Sequence, residues 1–299
     1  MKNFVPHYYS DFKCKAGECR HSCCIGWEID VDALTLEKYN SIKTDFGDKL
    51  RENIDFQNGC ACFKLGEDER CPFLNEHNLC NIILNLGEDY LCDICTDHPR
   101  FRNFYSDRTE MGLGLCCEEA CRIILFDEHH FSLISDDENG ENLTEDEQKF
   151  LFERDLILNL VENSDSVFNA IRKINEMYQI NPFELDLHTA FDFYSALEML
   201  DISWQERLNT LKNSQAAQPD NTAEKAFLNL YKYFIFRHTT VDNFFGGLNF
   251  AEISVKLIWA ICERTDFSFE NICEIARMYS SEIEYSDENT DKVTEFAEG

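Results

Sequence analysis

Apolar positions in the second half of the chain recur at helical spacing, whereas those in the first half are interrupted by cysteine, glycine and charge. Thr144 followed by Glu147 is a capping-box signal, and Phe150, Leu151, Ile157, Leu158 and Val161 then repeat as one helix face. A second helix is predicted over Asp165 to Tyr178, with Phe168, Ile171, Ile174 and Met177 on one face, and a third from about Thr189 to Leu200. Asn221 and Glu224 open a fourth, which carries the aromatic-rich run Phe227 to Phe236. Two more are predicted over about Ala251 to Glu263 and Ser268 to Tyr279, and the polar, acidic sequence from Ser281 onward reads as a fraying end. Strand signals are weak before residue 140, which predicts short irregular segments there.

The stretch Asp136 to Gln148 carries seven acids and no base and reads as an exposed linker leading into a helix. The expectation is therefore a mostly α protein. An irregular cysteine-rich metal-binding region (1–135) precedes a helical domain (144–285) and an acidic tail (286–299).

Composition supports a packed chain: of 299 residues 44% are hydrophobic, and 25 are phenylalanine. The formal net charge of −30 makes nucleic acid a poor partner, because binding phosphates needs clustered Lys and Arg. A cationic partner such as a lysine-bearing protein suits that charge, though solubility alone accounts for it. The opening MKNFVPHYYS has no apolar h-region, and the apolar stretch Leu257 to Cys262 is too short to span a bilayer. Both observations predict a cytoplasmic protein without a membrane partner, in a compartment where stable disulfides are rare.

The cysteines change the picture most. There are 15, and 13 fall between Cys14 and Cys121. Core filler would be spread along the chain, and an odd total without an export signal argues against a disulfide framework. Four groups stand out: Cys14-x4-Cys19-x3-Cys23-Cys24, Cys71-Pro72 with Cys80, Cys92-x2-Cys95 before His98, and Cys116-Cys117-x3-Cys121. Short spacings let turns bring several thiolates to one point, and ligands from distant segments tie those segments together. A cluster takes about four such ligands. Zinc competes, and Cys92-x2-Cys95 has the spacing it prefers. Cys262 and Cys273 read as small buried hydrophobes, and so in part do Cys60, Cys62, Cys116 and Cys121. His21 and His98 sit inside the cysteine groups, where they could ligate or donate to sulfur, but read first as structural. His129, His130 and His238 read as packing or surface residues, and Arg100 and Arg237 as internal ion pairs that could instead bind a carboxylate or cover a cluster. No G-x-S-x-G, P-loop or dinucleotide fingerprint appears in the sequence.

Several segments carry a resemblance: FKCKAGECRHSCCIGWEID from Phe12, CPFLNEHNLC from Cys71, LGEDYLCDICTDHPRF from Leu86, GLGLCCEEACR from Gly112, YFIFRH from Tyr233 and YSSEIEYSDEN from Tyr279. Together they resemble the flagellin lysine-N-methylase family, often called FliB, within a wider group bearing a cysteine-rich zinc- or iron-chelating domain. The first two segments are shared with the wider group, and the last two point to the methylase branch. The resemblance implies methyl transfer from S-adenosylmethionine to lysines of flagellin, with a [4Fe-4S] cluster. It implies Cys14, Cys19, Cys23, Cys24, Cys71, Cys80, Cys95 and Cys117 as the metal cysteines, and Cys92, Cys116 and Cys121 as departures from the family pattern. Eight thiolates exceed one cluster's need, so either two metal sites exist or some of the eight are structural. The alternative is a non-catalytic zinc- or iron-chelating, or electron-carrying, protein. No catalytic base is singled out by spacing.

Overall fold

The computed structural model describes residues 2–57, 59–135 and 142–298, and the chain divides into two units. Lys13–Pro99 form the smaller unit; Met1–Phe12 and Arg100–Gly299 together form the larger. The boundary expected near residue 140 is thus replaced by two, at either end of an inserted cysteine-rich segment. The first part of the predicted acidic linker, residues 136–141, lies outside the described residues.

The chain enters on strand β1 (Lys2–Pro6), which belongs to the larger unit, and then builds the smaller one. There, helices α1 (Ala33–Ser41) and α2 (Asp45–Glu52) precede a hairpin of β2 (Ile54–Gln57) and β3 (Cys60–Phe63), followed by short helices α3 (Asn81–Leu86) and α4 (Asp93–Asp97). One carboxylate organises both ends of this segment. Asp32 caps α1 by accepting the Thr35 amide at 2.9 Å, and its other oxygen accepts the Asp93 amide at 3.0 Å at the start of α4. Ile29, Val31, Tyr39, Leu50, Ile54, Phe63, Phe73 and Ile82 form a continuous core, with the Phe63 and Phe73 rings 4.9 Å apart edge to face. The region expected to be irregular thus has an apolar core of its own.

The larger unit resumes with the hairpin β4 (Arg100–Phe104) and β5 (Arg108–Leu113). After α5 (Glu118–Leu125) comes the short β6 (Leu133–Ile134), giving a four-stranded sheet in the order β4-β5-β1-β6. The β1–β5 pairing is parallel, with Phe4 opposite Glu110, and joins residues about a hundred positions apart. Local pattern could not disclose it, which is why strands went unread. Gly112 is required here: a Cβ would come within 2.3 Å of the Phe101 ring that lies across the hairpin.

Helices α6 (Glu145–Glu162), α7 (Val167–Tyr178), α8 (Leu187–Ser195), α9 (Ile202–Asn209), α10 (Asn221–His238), α11 (Phe244–Arg264) and α12 (Phe269–Tyr279) follow. The Thr144–Glu147 capping box forms, and the predicted face of α6 is buried. In α7, Val167, Ala170, Ile171 and Ile174 face inward, whereas Phe168 and Met177 remain partly exposed. The third predicted helix stops at Ser195, and α9 was missed. Helix α10 buries every residue from Asn229 to Phe236, so it lies inside the unit and not on its surface. Among the described residues, α11 is long and apolar enough to cross a membrane by composition alone, but 72% of its apolar window is buried in the unit.

The predicted fraying end is instead ordered. Ser280–Glu284 form a π-helical turn and Asp287–Glu298 form α13. Asn289 and Val293 are buried there, and the Asn289 side chain donates to the Glu198 and Glu282 carbonyls. The polar sequence conceals its role because Glu282 and Glu284 accept buried donors while Asp287, Glu288, Asp291 and Glu295 face solvent.

Sheet and helices are joined by a buried ion pair. Glu110 on β5 and Arg154 on α6 are each 1% exposed and meet in two parallel bonds of 2.7 and 2.9 Å, with the Tyr105 hydroxyl 3.1 Å from Arg154 Nη1. Removing one partner strands the other charge in the core. Glu110→Gln should cost about 3–5 kcal/mol in urea unfolding. A paired Glu110→Leu, Arg154→Met change should recover most of that loss; a single-variant cost below about 1 kcal/mol would show that the pair is not an anchor.

Candidate functional site

In the smaller unit five cysteines gather around one core. Cys71 and Cys92 are buried in it, and Cys24, Cys80 and Cys95 pack against it. They arrive from separate elements: Cys24 precedes the Ile25–Arg70 bridge, Cys71 accompanies Pro72 in a turn, Cys80 caps α3, and Cys92 and Cys95 lie at and within α4. Their ionisation is mutually linked. The Cys95 thiol donates to Cys92, which draws the Cys92 proton affinity down; donation, burial and the charge of Cys92, Cys24 and Cys71 together push Cys95 far up. Burial lifts Cys71 to about 12, with Cys24, Cys80 and Cys92 adding to the rise and the Phe73 amide opposing it. Burial also raises Cys80, against the amides of Ile83 and Ile82. Cys24 falls to about 7, chiefly because Cys23 hydrogen-bonds to it, with Ser22 and the Arg70 charge also contributing against burial. The Tyr39 hydroxyl lies 3.7 Å from Cys92 Sγ and donates to the Tyr90 carbonyl at 2.7 Å.

This donor set fits a thiolate-bound metal. Buried thiols that raise one another's proton affinity are poor anions alone, and a cation among them reverses that penalty. Backbone amides directed at the Cys71 and Cys80 sulfurs are the kind of bond that stabilises cluster thiolates.

Of the remaining predicted ligands, Cys14 is exposed and accepts the Ala16 amide at 3.4 Å within its own turn, Cys19 is half-buried, and Cys23 is exposed beside Cys24. None of these three belongs to the unit's core. Cys117 is carried by the larger unit, where it sits at the N-terminal end of α5 without a side-chain capping bond and packs against that unit's core. Cys92 had been set aside as a departure from the family pattern, yet it sits within the group; its C-x2-C spacing was the available signal. The Cys121 thiol of α5 donates to the Cys273 carbonyl of α12 at 3.5 Å, and Cys262 is fully buried, as small hydrophobes would be.

The larger unit holds a second polar centre that spacing did not reveal. Glu284, on the π-helical turn, has a side chain with no solvent exposure. It accepts from the Tyr233 hydroxyl at 3.0 Å and lies 2.6 Å from His238 Nε2 and 3.3 Å from Arg237 Nε. Arg237 Nη1 donates to Tyr233 at 2.7 Å, and its guanidinium lies over the rings of Phe101 and Tyr285 at 5.0 and 5.3 Å. Cys116 hydrogen-bonds to Tyr285, and the Leu115 amide donates to Tyr233 at 3.4 Å. Three sequence segments far apart in the chain, beginning at Gly112, Tyr233 and Tyr279, thus meet at one carboxylate. A π-helical turn is an uncommon way to end a helix and recurs at functional positions.

The chain is 30% identical over 131 residues, 41% of its length, to the lysine-N-methylases of Salmonella choleraesuis and Salmonella typhimurium, covering 32% of each. At the same identity it covers 76% of the flagellar biosynthetic protein FliU of Salmonella muenchen. The chain belongs to the FliU family. It does so as a distant member, and the aligned stretch spans about a third of the two lysine-N-methylases. No family model and no solved structure matches it.

For this FliU-family chain the Glu284 centre makes a definite demand on pH. Burial holds His238 below its ordinary value of 6.5, although Glu284 pulls the other way. Burial would raise Glu284, but Arg237, His238 and Ser280 overrule it and keep the carboxyl below its ordinary 4.5. Both folded values are depressed, so both groups stabilise the fold at high pH. The His238 contribution is complete above about pH 6.5 and is lost as pH falls below that; the Glu284 contribution is lost only below about pH 4.5. A melting-temperature profile should fall in two stages, and His238→Gln should abolish the first. An unchanged upper stage in that variant would assign it to another group.

Proposed function

We propose that this chain transfers methyl groups from S-adenosylmethionine to lysine side chains of flagellin and carries a [4Fe-4S] cluster on the thiols of its smaller unit. The observation that carries this reading is the convergence of Cys24, Cys71, Cys80, Cys92 and Cys95 on one core, in a chain whose family relatives are named lysine-N-methylase. Four of these five would hold the cluster, and the fifth would remain a hydrogen-bond partner. When bound, the cluster supplies positive charge that stabilises thiolates and binds the smaller unit's segments together. A polar methyl transfer to nitrogen requires no electron from it.

The harder task falls to the protein. A lysine ammonium with a pKa near 10.4 must lose its proton, at a cost of roughly 4–5 kcal/mol at neutral pH. The larger unit has a cleft of about 380 Å³ whose lining includes Phe4, Phe131, Leu133, Leu158 and Asp155. A lysine stem suits its apolar lining, and a carboxyl can take the proton. The cleft's other carboxylate, Glu110, is engaged by Arg154. Asp155 is exposed at the cleft, and desolvation by the surrounding protein holds it above its ordinary value, with Arg154 opposing and Glu110 reinforcing. We assign Asp155 as the group that receives the amine proton.

The test begins with full-length protein purified without oxygen. About four irons and four acid-labile sulfides per chain are expected, and Cys92→Ala should lower both together. Zinc without sulfide, which the Cys92-x2-Cys95 pair also suits, would replace the cluster with a zinc site. Incubation with flagellin and S-adenosylmethionine should add methyl masses to lysines, and no mass gain would overturn the enzyme reading. Asp155→Asn should slow transfer by about 10²–10⁴ while leaving metal content unchanged; transfer at the wild-type rate would remove Asp155 from the reaction.

A further inference from the structure

A second set of metal-ligating side chains lies in the larger unit and contains no sulfur. His7 follows β1, and its amide donates to the Ser132 carbonyl at 2.9 Å, in continuation of the strand pairing. Asp127 and His129 lie on the loop after α5. That loop is clamped from beneath by Asn229 of α10, which is buried and donates to the Leu125 and Asp127 carbonyls at 3.0 and 2.9 Å. His129 closes back on Asp127, with its amide and Nδ1 3.1 and 2.9 Å from Oδ1. One donor atom from each of His7, Asp127 and His129 lies within 4.8 Å of the other two.

The contact between His7 and Asp127 is the informative one. His7 Nε2 lies 2.8 Å from Asp127 Oδ2, yet both ring nitrogens of His7 are buried without a hydrogen-bond partner. No hydrogen bond at Nδ1 fixes the tautomer of this ring, so Nε2 is free to face Asp127 as an acceptor. An imidazole nitrogen this close to a carboxylate oxygen, with a second imidazole within 4.8 Å, has the spacing of ligands that share one cation. The side chains of His7 and Asp127 are 19% and 11% exposed and that of His129 is 80%, so the group is anchored on one side and open to solvent on the other.

We propose that His7, Asp127 and His129 bind a divalent transition metal, such as zinc or cobalt(II), at a site separate from the cysteines. Two imidazoles and one carboxylate favour such ions over magnesium or calcium, and three protein ligands leave coordination positions for water or a substrate oxygen. The site stands whether or not the chain transfers methyl groups.

Cobalt(II) is the probe. Full-length protein whose thiol site has been filled during anaerobic purification is dialysed against micromolar cobalt(II). One further equivalent is expected, with ligand-field absorption but no thiolate-to-cobalt charge-transfer band, and with paramagnetic shifts on two histidine ring signals. His129→Ala alters an exposed residue and should fold normally; it should weaken this binding at least about tenfold and leave the metal content of the thiol site unchanged. His7→Gln should do the same. Should His7→Gln fail to fold, His129→Ala decides alone. Wild-type protein that takes up no sulfur-free cobalt, or a His129→Ala variant that binds it as wild type does, would overturn the proposal.

Discussion

A carboxylate with no solvent exposure can persist as an anion only if cations and donors surround it, and Glu284 is so surrounded. Arg237, His238 and Tyr233 come from one end of α10, while Glu284 itself comes from the turn after α12. The same tyrosine receives the Leu115 amide, and the same arginine lies against Phe101, so the sheet's hairpin and the start of the Cys116–Cys121 segment are held by the same charge balance. Arg237, His238 and Tyr233 all engage Glu284, which has no solvent exposure, so the network fixes positions and offers a substrate no accessible basic atom. That is why the proposed proton acceptor lies elsewhere, at Asp155 in a cleft that can admit a side chain.

The smaller unit answers a different constraint. Its apolar core is modest and includes thiols, so the residues that complete its packing are also those able to take a metal. Tyr39 joins the two roles: its ring packs near Phe63, and its hydroxyl meets the Tyr90 carbonyl and Cys92. Asp32 does the same for the backbone by holding the starts of α1 and α4 with one side chain.

Much of the helical architecture was legible. The capping box at Thr144, the inward face of α6 and the apolar run of α10 formed where local pattern placed them, because short-range periodicity and caps decide such elements. What escaped was decided at long range. Strand β1 has no pattern that announces a partner at Arg108–Leu113, and the charged sequence after Ser281 reads as solvent-facing until Glu282 and Glu284 are seen to accept buried donors. At the candidate site, the clustering of cysteines was legible, while which of them share one core was not. Cys92 belongs to the buried group, whereas Cys14 is exposed and Cys117 belongs to the larger unit. His129 read as a surface residue because its relation to His7 depends on a fold that brings the first strand beside the loop after α5.

The position of the smaller unit, inserted between Phe12 and Arg100, bears on how the chain assembles. Arg100 reaches Tyr9 Oη at 2.7 Å and lies 5.6 Å from the Phe12 ring, so the insertion leaves and re-enters the larger unit at neighbouring points. For an unfolded insertion, closing so long a loop carries an entropic penalty that rises with the logarithm of its length. Once the insertion has folded, its ends are already near one another and most of that penalty is gone. The order of events during synthesis then favours the sheet: residues 13–99 emerge before β5, and a finished insertion presents β1 to its partner as if the two strands were close in sequence.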